Sequence, residues 1–298
     1  MKQLHYVSFN IPREDGVRIR RELAAIGCEL WLKPPVNERG LFSFRNQFDS
    51  EDLRIGKVQR LAKNEGLQTF EGITHEYTDE ELRGFPLLSI SVDRDPIPTN
   101  PEYRTTYDLS NACPRCGTAA VQTSPLMLPR KGLPRECELT LGTRFSILVG
   151  PNLRASLLDA KVTGLELRQA LFFRNNEPLP WWQIISAYEM PMMSKLSKNL
   201  TRDTRPGWGC PTCRRDMHTR TGIEPLDLIY DGAAVDPKAI PDVVHSWECW
   251  GRSVLNYDVE RQLVRGFACP WVLVKPKVFD VFREFKLEDV SFDPVRIV

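Results

Sequence analysis

Histidine is scarce in this chain, with only His5, His75, His218 and His245 among 298 residues, so general-base chemistry has few candidates. The local patterns that mark many enzymes are also missing: there is no glycine-rich phosphate loop, no nucleophile elbow and no His-Glu-x-x-His run. No pair of carboxylates stands out as an acid and base. Charge of one sign is lacking too, because 40 Lys and Arg nearly cancel 39 Asp and Glu. A global basic field of the kind that gathers nucleic acid or anionic membrane is therefore excluded, although a local basic patch is not. No apolar run reaches membrane-spanning length. The first residues, Met1-Lys2-Gln3-Leu4-His5-Tyr6-Val7-Ser8-Phe9, alternate like a strand and lack the apolar core of a signal peptide. Eight cysteines are too few for a disulfide scaffold of this length, so the expectation is a cytoplasmic protein whose thiols serve a metal.

Those thiols carry the main chemical clue. Cys113-Pro-Arg-Cys116-Gly117 and Cys210-Pro-Thr-Cys213 are two Cys-x-x-Cys pairs with 93 residues between them. Together they supply the four soft ligands of a tetrahedral structural zinc, a closed site with no open position for catalysis. Pro114 and Pro211 set φ at the start of each turn, and Gly117 permits the reversal through which backbone N–H groups reach sulfur. The second pair has Arg214 where that glycine would stand. Arg115, Arg214 and Arg215 are placed to offset the negative charge of a four-thiolate zinc. A compact zinc ribbon has only some 15–20 residues between its pairs. Closure entropy grows only logarithmically with loop length, so a subdomain between them is tolerable. The alternative is two separate sites completed by His218, His245, Cys249 or Cys269. A thioredoxin-like redox role fits less well, since neither pair follows a strong strand and opens a helix. Cys28, Cys137, Cys249 and Cys269 are expected to be small buried hydrophobes, and His245-x-x-x-Cys249 a packed histidine near a packed thiol.

Residues 1–100 read as an N-terminal α/β region. Leu4–Phe9 predicts a strand, and Ile19, Leu23 and Ile26 share a helical face that Gly27 ends. A strand at Leu41–Phe44 follows the Lys33-Pro34-Pro35 loop, and Ser50-Glu51-Asp52 begins a helix with an apolar stripe of Leu53, Val58, Leu61 and Ala62. Thr78-Asp79-Glu80-Glu81 forms a capping box. Leu87–Val92 is a strand, and the Pro-rich run Asp95–Pro101 predicts a domain boundary.

In the remainder, residues 101–298, Ile147-Leu-Val-Gly-Pro151-Asn-Leu aligns without gaps on Val272-Leu-Val-Lys-Pro276-Lys-Val, an offset of 125 positions. Each copy, about 145–170 and about 270–295, reads strand, proline at the first helical turn, helix, strand. The competing reading is coincidence between two common patterns. The expected fold is α+β: two strand–helix–strand repeat halves joined by a split four-cysteine zinc knuckle, plus the N-terminal region.

This order, Cys pair, strand–Pro–helix, second Cys pair and terminal strand–helix–strand, resembles the double-CXXCG-motif bacterial toxin-immunity proteins over residues 105–298. Cys113, Cys116, Gly117, Cys210 and Cys213 match the motif; residues 1–100 lie outside the likeness. The resemblance implies a non-enzymatic binder that neutralises a cognate protein toxin, with structural Zn²⁺. Trp181-Trp182 and the set Trp247, Trp250 and Trp271 are candidate interface anchors but more often core, and Glu76–Glu81 could dock a basic cleft. The rival class is a zinc-ribbon nucleic-acid-binding or transcription-associated module using Arg115, Arg130, Lys131, Arg214, Arg215 and Arg220. A third is an enzyme whose site is built from unremarkable residues around His75 or His245.

Overall fold

Alternation along the first strand decides which face of the first sheet is buried. In β1 (Lys2–Ile11), Val7, Phe9 and Ile11 are buried, while the residues between them are partly or fully exposed. β1 lies between β2 (Phe42–Asp49) and β3 (Thr69–Glu76), antiparallel to both. Helices α1 (Gly16–Ala25) and α2 (Arg54–Asn64) contribute Ile19, Leu23, Ile55, Val58, Leu61 and Ala62 to the same core, joined by Phe44, Phe48 and Cys28. Both helices end on a left-handed glycine. Gly27 (φ 83) follows α1, with Cys28 N–H donating to Leu23 O, and Gly66 (φ 65) follows α2, with Leu67 N–H donating to Ala62 O. At α3 (Asp79–Arg83) the expected capping box is formed: Glu81 N–H donates to Thr78 Oγ1 at 3.2 Å and Thr78 N–H to Glu81 Oε2 at 2.9 Å.

The computed structural model describes residues 1–12, 14–28, 42–92, 97, 104–134, 137–142, 146–202, 209–220, 226–250, 268–287 and 289–298. They fall into two units, residues 1–81 and residues 82–220 with 226–298. The division therefore precedes the Pro-rich segment expected to mark it, of which 95–96 and 98–101 lie outside the described residues, as does the Lys33–Pro35 loop. The physical reason is β4 (Leu87–Val92), which bonds into the sheet of the second unit.

That unit is mixed α+β with two principal sheets. After the short ribbon β5 (Tyr107–Asp108) and β6 (Val121–Gln122), the chain forms β7 (Met127–Leu128), β8 (Leu139–Leu141), β9 (Ile147–Val149), α4 (Pro151–Asp159), β10 (Glu166–Phe172) and β11 (Pro178–Ile185). It continues with β12 (Leu200–Arg202), β13 (His218–Arg220), β14 (Leu228–Tyr230), β15 (Val243–Trp250), β16 (Cys269–Val274), α5 (Pro276–Glu284) and β17 (Val290–Ile297). The five-stranded sheet has the order β7-β10-β11-β9-β8, and the seven-stranded sheet β12-β13-β15-β16-β4-β17-β14.

Proline opens both helices, as the sequence predicts, because its fixed φ suits the first turn and its missing N–H is not needed there. In each case the helix links two parallel strands separated by one antiparallel strand. β11 stands between β9 and β10, and β4 between β16 and β17. The helices touch each other. Asp242 ties their surroundings together: its Oδ2 accepts from Thr163 N–H at 2.8 Å, Thr163 Oγ1 at 2.9 Å and Lys277 Nζ at 3.2 Å. Among the described residues, no helix is long and apolar enough to cross a membrane.

Candidate metal centre

Each cysteine pair lies between two short antiparallel strands. The first is flanked by β5 and β6, with Tyr107 opposite Gln122, and the second by β12 and β13, with Arg202 opposite His218. In the first turn Gly117 N–H donates to Cys113 O at 2.7 Å and Cys113 N–H to Thr118 O at 2.9 Å. In the second, Arg214 N–H donates to Cys210 O at 3.2 Å. The reversal needs a left-handed residue in both places, Gly117 at φ 71 and Arg214 at φ 58. Backbone N–H groups then point at sulfur: Thr118 at Cys116, Thr212 and Cys213 at Cys210, and Arg215 at Cys213.

The two turns meet. Cys113 Sγ lies 3.8 Å from Cys210 Sγ, Cys116 Sγ lies 3.5 Å from Cys213 Sγ, and all four sulfurs fall within 4.8 Å of one another. A disulfide would require about 2.05 Å, so these are four free thiols. A tetrahedron with metal–sulfur bonds of about 2.3 Å has edges of about 3.8 Å, close to the separations found. The four cysteines could therefore hold a metal ion, and they form one cluster. The two-site alternative loses its ligands here: among the described residues, His218, His245, Cys249 and Cys269 join no metal-competent group. His218 instead places Nε2 3.3 Å from Arg214 O.

Burial pushes the Cys116 thiol up, against the hydroxyl and N–H of Thr118, and it likewise raises Cys213. At Cys210 burial acts in the same sense, but the N–H groups of Cys213 and Thr212 and the neighbouring thiols outweigh it and bring the thiol to about 7. A bound cation would dominate all of these effects, because a coordinated thiol is deprotonated outright.

Two supports of the second knuckle escaped the sequence reading. Asp216, 2% exposed, accepts the Cys210 N–H at 2.7 Å, and Arg202 reaches from β12 to the carbonyls of Cys210 and Asp216. Of the three arginines expected to balance the thiolates, Arg115 and Arg214 are exposed at the knuckle tips. Arg215 points elsewhere. Its guanidinium pairs with Glu189, donates to Trp247 O at 2.9 Å and lies over the Trp247 ring at 5.1 Å.

The remaining candidates are dispersed. Trp181 and Trp271 are buried, and Trp182 lies under Arg154 with 4.9 Å to its ring centroid. Cys28 and Cys249 are buried; Cys137 and Cys269 are only partly so. Burial depresses the His245 imidazole to about 4, while His75 sits beside Tyr77 in the first unit. No family model matches this chain, and no curated protein matches it.

Proposed function

We propose that this is a cytoplasmic, non-enzymatic immunity protein that binds a cognate bacterial toxin and covers its active surface, with one structural Zn²⁺ holding its second unit together. The observation that carries this reading is the four-cysteine cluster drawn from segments 97 residues apart. All four ligands come from the chain, so the ion would have no vacant position for substrate and would act as scaffold. Tetrahedral four-thiolate spacing suits zinc and iron alike, and zinc is the ion implied by the resemblance and by the structural role proposed here. The resemblance of the cysteine and strand–helix order to double-CXXCG immunity proteins supplies the partner class.

The repeat belongs to the same proposal. Written from β8, the first sheet runs β8-β9-β11-β10-β7, and part of the second runs β15-β16-β4-β17-β14, with the same parallel and antiparallel senses. Gly150 N–H donates to Glu138 O as Lys275 N–H donates to Asp242 O, and Lys161 (φ 51) and Lys286 (φ 49) end the two helices alike. Two copies of one module would each bring half of the metal site. The copies differ in the origin of the middle strand, since the second takes β4 from the start of the unit, and in the two further strands, β13 and β12, that extend the second sheet beyond β15.

Co-expression with candidate toxins tests the function. Survival restored by one toxin–protein pair, and by no variant lacking the cysteines, is expected; survival no better than an empty vector across every candidate removes the reading. The rival, nucleic-acid binding, rests on the exposed Arg115 and Arg214 at the knuckle tips. Salt-sensitive anisotropy changes with DNA or RNA at micromolar protein would promote it over the first.

A further inference from the structure

Inside the second unit, the stretch between β11 and β12 works as a strap between β15 and β14. Met190 N–H donates to His245 O at 2.8 Å and His245 N–H to Tyr188 O at 2.9 Å; farther on, Ser194 N–H donates to Ile229 O at 2.7 Å and Lys198 N–H to Asp227 O at 3.0 Å. Beneath it lies a core of Met190, Leu228, Tyr230, Val244, Trp271 and Leu273. A buried carboxyl on β15 meets the strap. Glu248 is 0% exposed, and its Oε1 accepts the Met193 N–H of the strap at 2.8 Å.

The β15–β16 register is irregular between His245 and Cys249, a bulge in which Ser246 Oγ donates to Glu248 O at 2.6 Å and accepts the Trp271 N–H at 2.8 Å. Trp250 faces Cys269 across the pair, so Trp271, two residues on, shares that face, and Glu248 meets the same core through Met193, which packs against it. The edge-on packing of Trp250 against Trp271, 4.7 Å between centroids, agrees. Tyr230 joins Trp271 in the core cluster and feels the charge of Glu248.

Among the described residues, three polar atoms here have no hydrogen-bond partner: Glu248 Oε2, the Tyr230 hydroxyl and Trp271 Nε1. Buried polar groups are almost always satisfied, so three orphans in one core point to a common partner. That partner must accept from an indole N–H, which only donates, and must also bond a carboxyl oxygen and a phenol. Water does all of this and needs only two to four polar neighbours. We propose that Glu248, Tyr230 and Trp271 form an internal site for a small neutral hydrogen-bonding molecule, a long-lived water, which secures the strap through Glu248 and Met193.

Oxygen-17 relaxation dispersion on the full chain, with hydrogen exchange at the Trp271 indole and Met193 amide, tests the site in the parent, Tyr230→Phe and Glu248→Gln proteins. The parent should hold a long-lived internal water whose contribution is lost in Tyr230→Phe. In that variant, which removes a single oxygen, the Trp271 indole should exchange about tenfold faster, as expected for one lost net hydrogen bond. Glu248→Gln keeps an acceptor for Met193, so its Met193 amide should stay protected. Unchanged dispersion and indole exchange in Tyr230→Phe would overturn the proposal. Should Glu248→Gln fail to fold, the parent and Tyr230→Phe still decide it.

Discussion

Arg214 occupies in the second knuckle the left-handed backbone position that Gly117 occupies in the first, at φ 58 against φ 71. A residue with a side chain is strained there by about 1–2 kcal/mol, whereas glycine is not. The two sites should therefore respond to substitution with opposite signs. Gly117→Ala should destabilise by about 1–2 kcal/mol. Arg214→Gly should stabilise by about 0.5–1 kcal/mol, the relief being offset in part by the greater freedom of glycine in the unfolded chain. Urea unfolding of both variants decides it, and a loss of stability in Arg214→Gly would contradict the shared geometry.

The sulfur cluster predicts how stability depends on metal. If Zn²⁺ binds the four thiolates, purified protein should contain one ion per chain, and its removal should lower the thermal midpoint by many degrees, since binding at a structural site is worth on the order of 10 kcal/mol. Single Cys→Ser changes at Cys113, Cys116, Cys210 or Cys213 should lower metal content. Cys28→Ser, in the core of the first unit, should leave it unchanged. Metal analysis beside thermal melts is the check. A midpoint that ignores a strong chelator would separate the cluster from any structural ion.

What could be read from the sequence was local. The capping box at Thr78 and Glu81, the prolines that open α4 and α5 and the two Cys-x-x-Cys turns each involve residues a few positions apart, so spacing reveals them. What stayed hidden depends on contacts distant in sequence. Asp216 supports the cysteine cluster only because the fold brings its carboxylate to the Cys210 N–H, and nothing around Asp216 advertises that. The strand β3 is not legible, because Glu71, Gly72 and Glu76 dilute its alternation. The apolar run of β4 was legible as a strand, but its place between β16 and β17 was not, since both partners lie some two hundred residues later.

That placement makes a prediction about truncation. Leu87 and Leu88 are 0% exposed and Ile90 6%, and β4 bonds on both sides. A chain beginning at residue 101 would lose a central strand, leave β16 and β17 with open edges and forfeit several kcal/mol of apolar burial. It should aggregate or unfold without cooperativity. A chain beginning at residue 82 keeps β4 and all four cysteines and should melt cooperatively. Circular dichroism melts of the two truncations compare them directly, and equal behaviour would show that β4 is dispensable.

The histidine on β15 should set an acid limit to stability. Burial depresses His245 from the ordinary 6.5 to about 4, so the folded protein holds it neutral where the unfolded chain would protonate it. The sign follows from proton uptake. Between pH 6.5 and 4 the unfolded state binds more protons, so stability is complete above about 6.5, falls as pH drops through that window and levels off below about 4. The loss across that window is on the order of a few kcal/mol at most. His218 is lowered by burial too and acts in the same direction, and any ion held by the four thiolates would also be lost in acid, so the parent curve alone is ambiguous. The difference between the parent and His245→Gln removes both contributions, because each is common to the two proteins. Urea midpoints at pH 7 and pH 4.5 should therefore drop further in the parent than in the variant, and parallel curves would mean that His245 does not carry the effect.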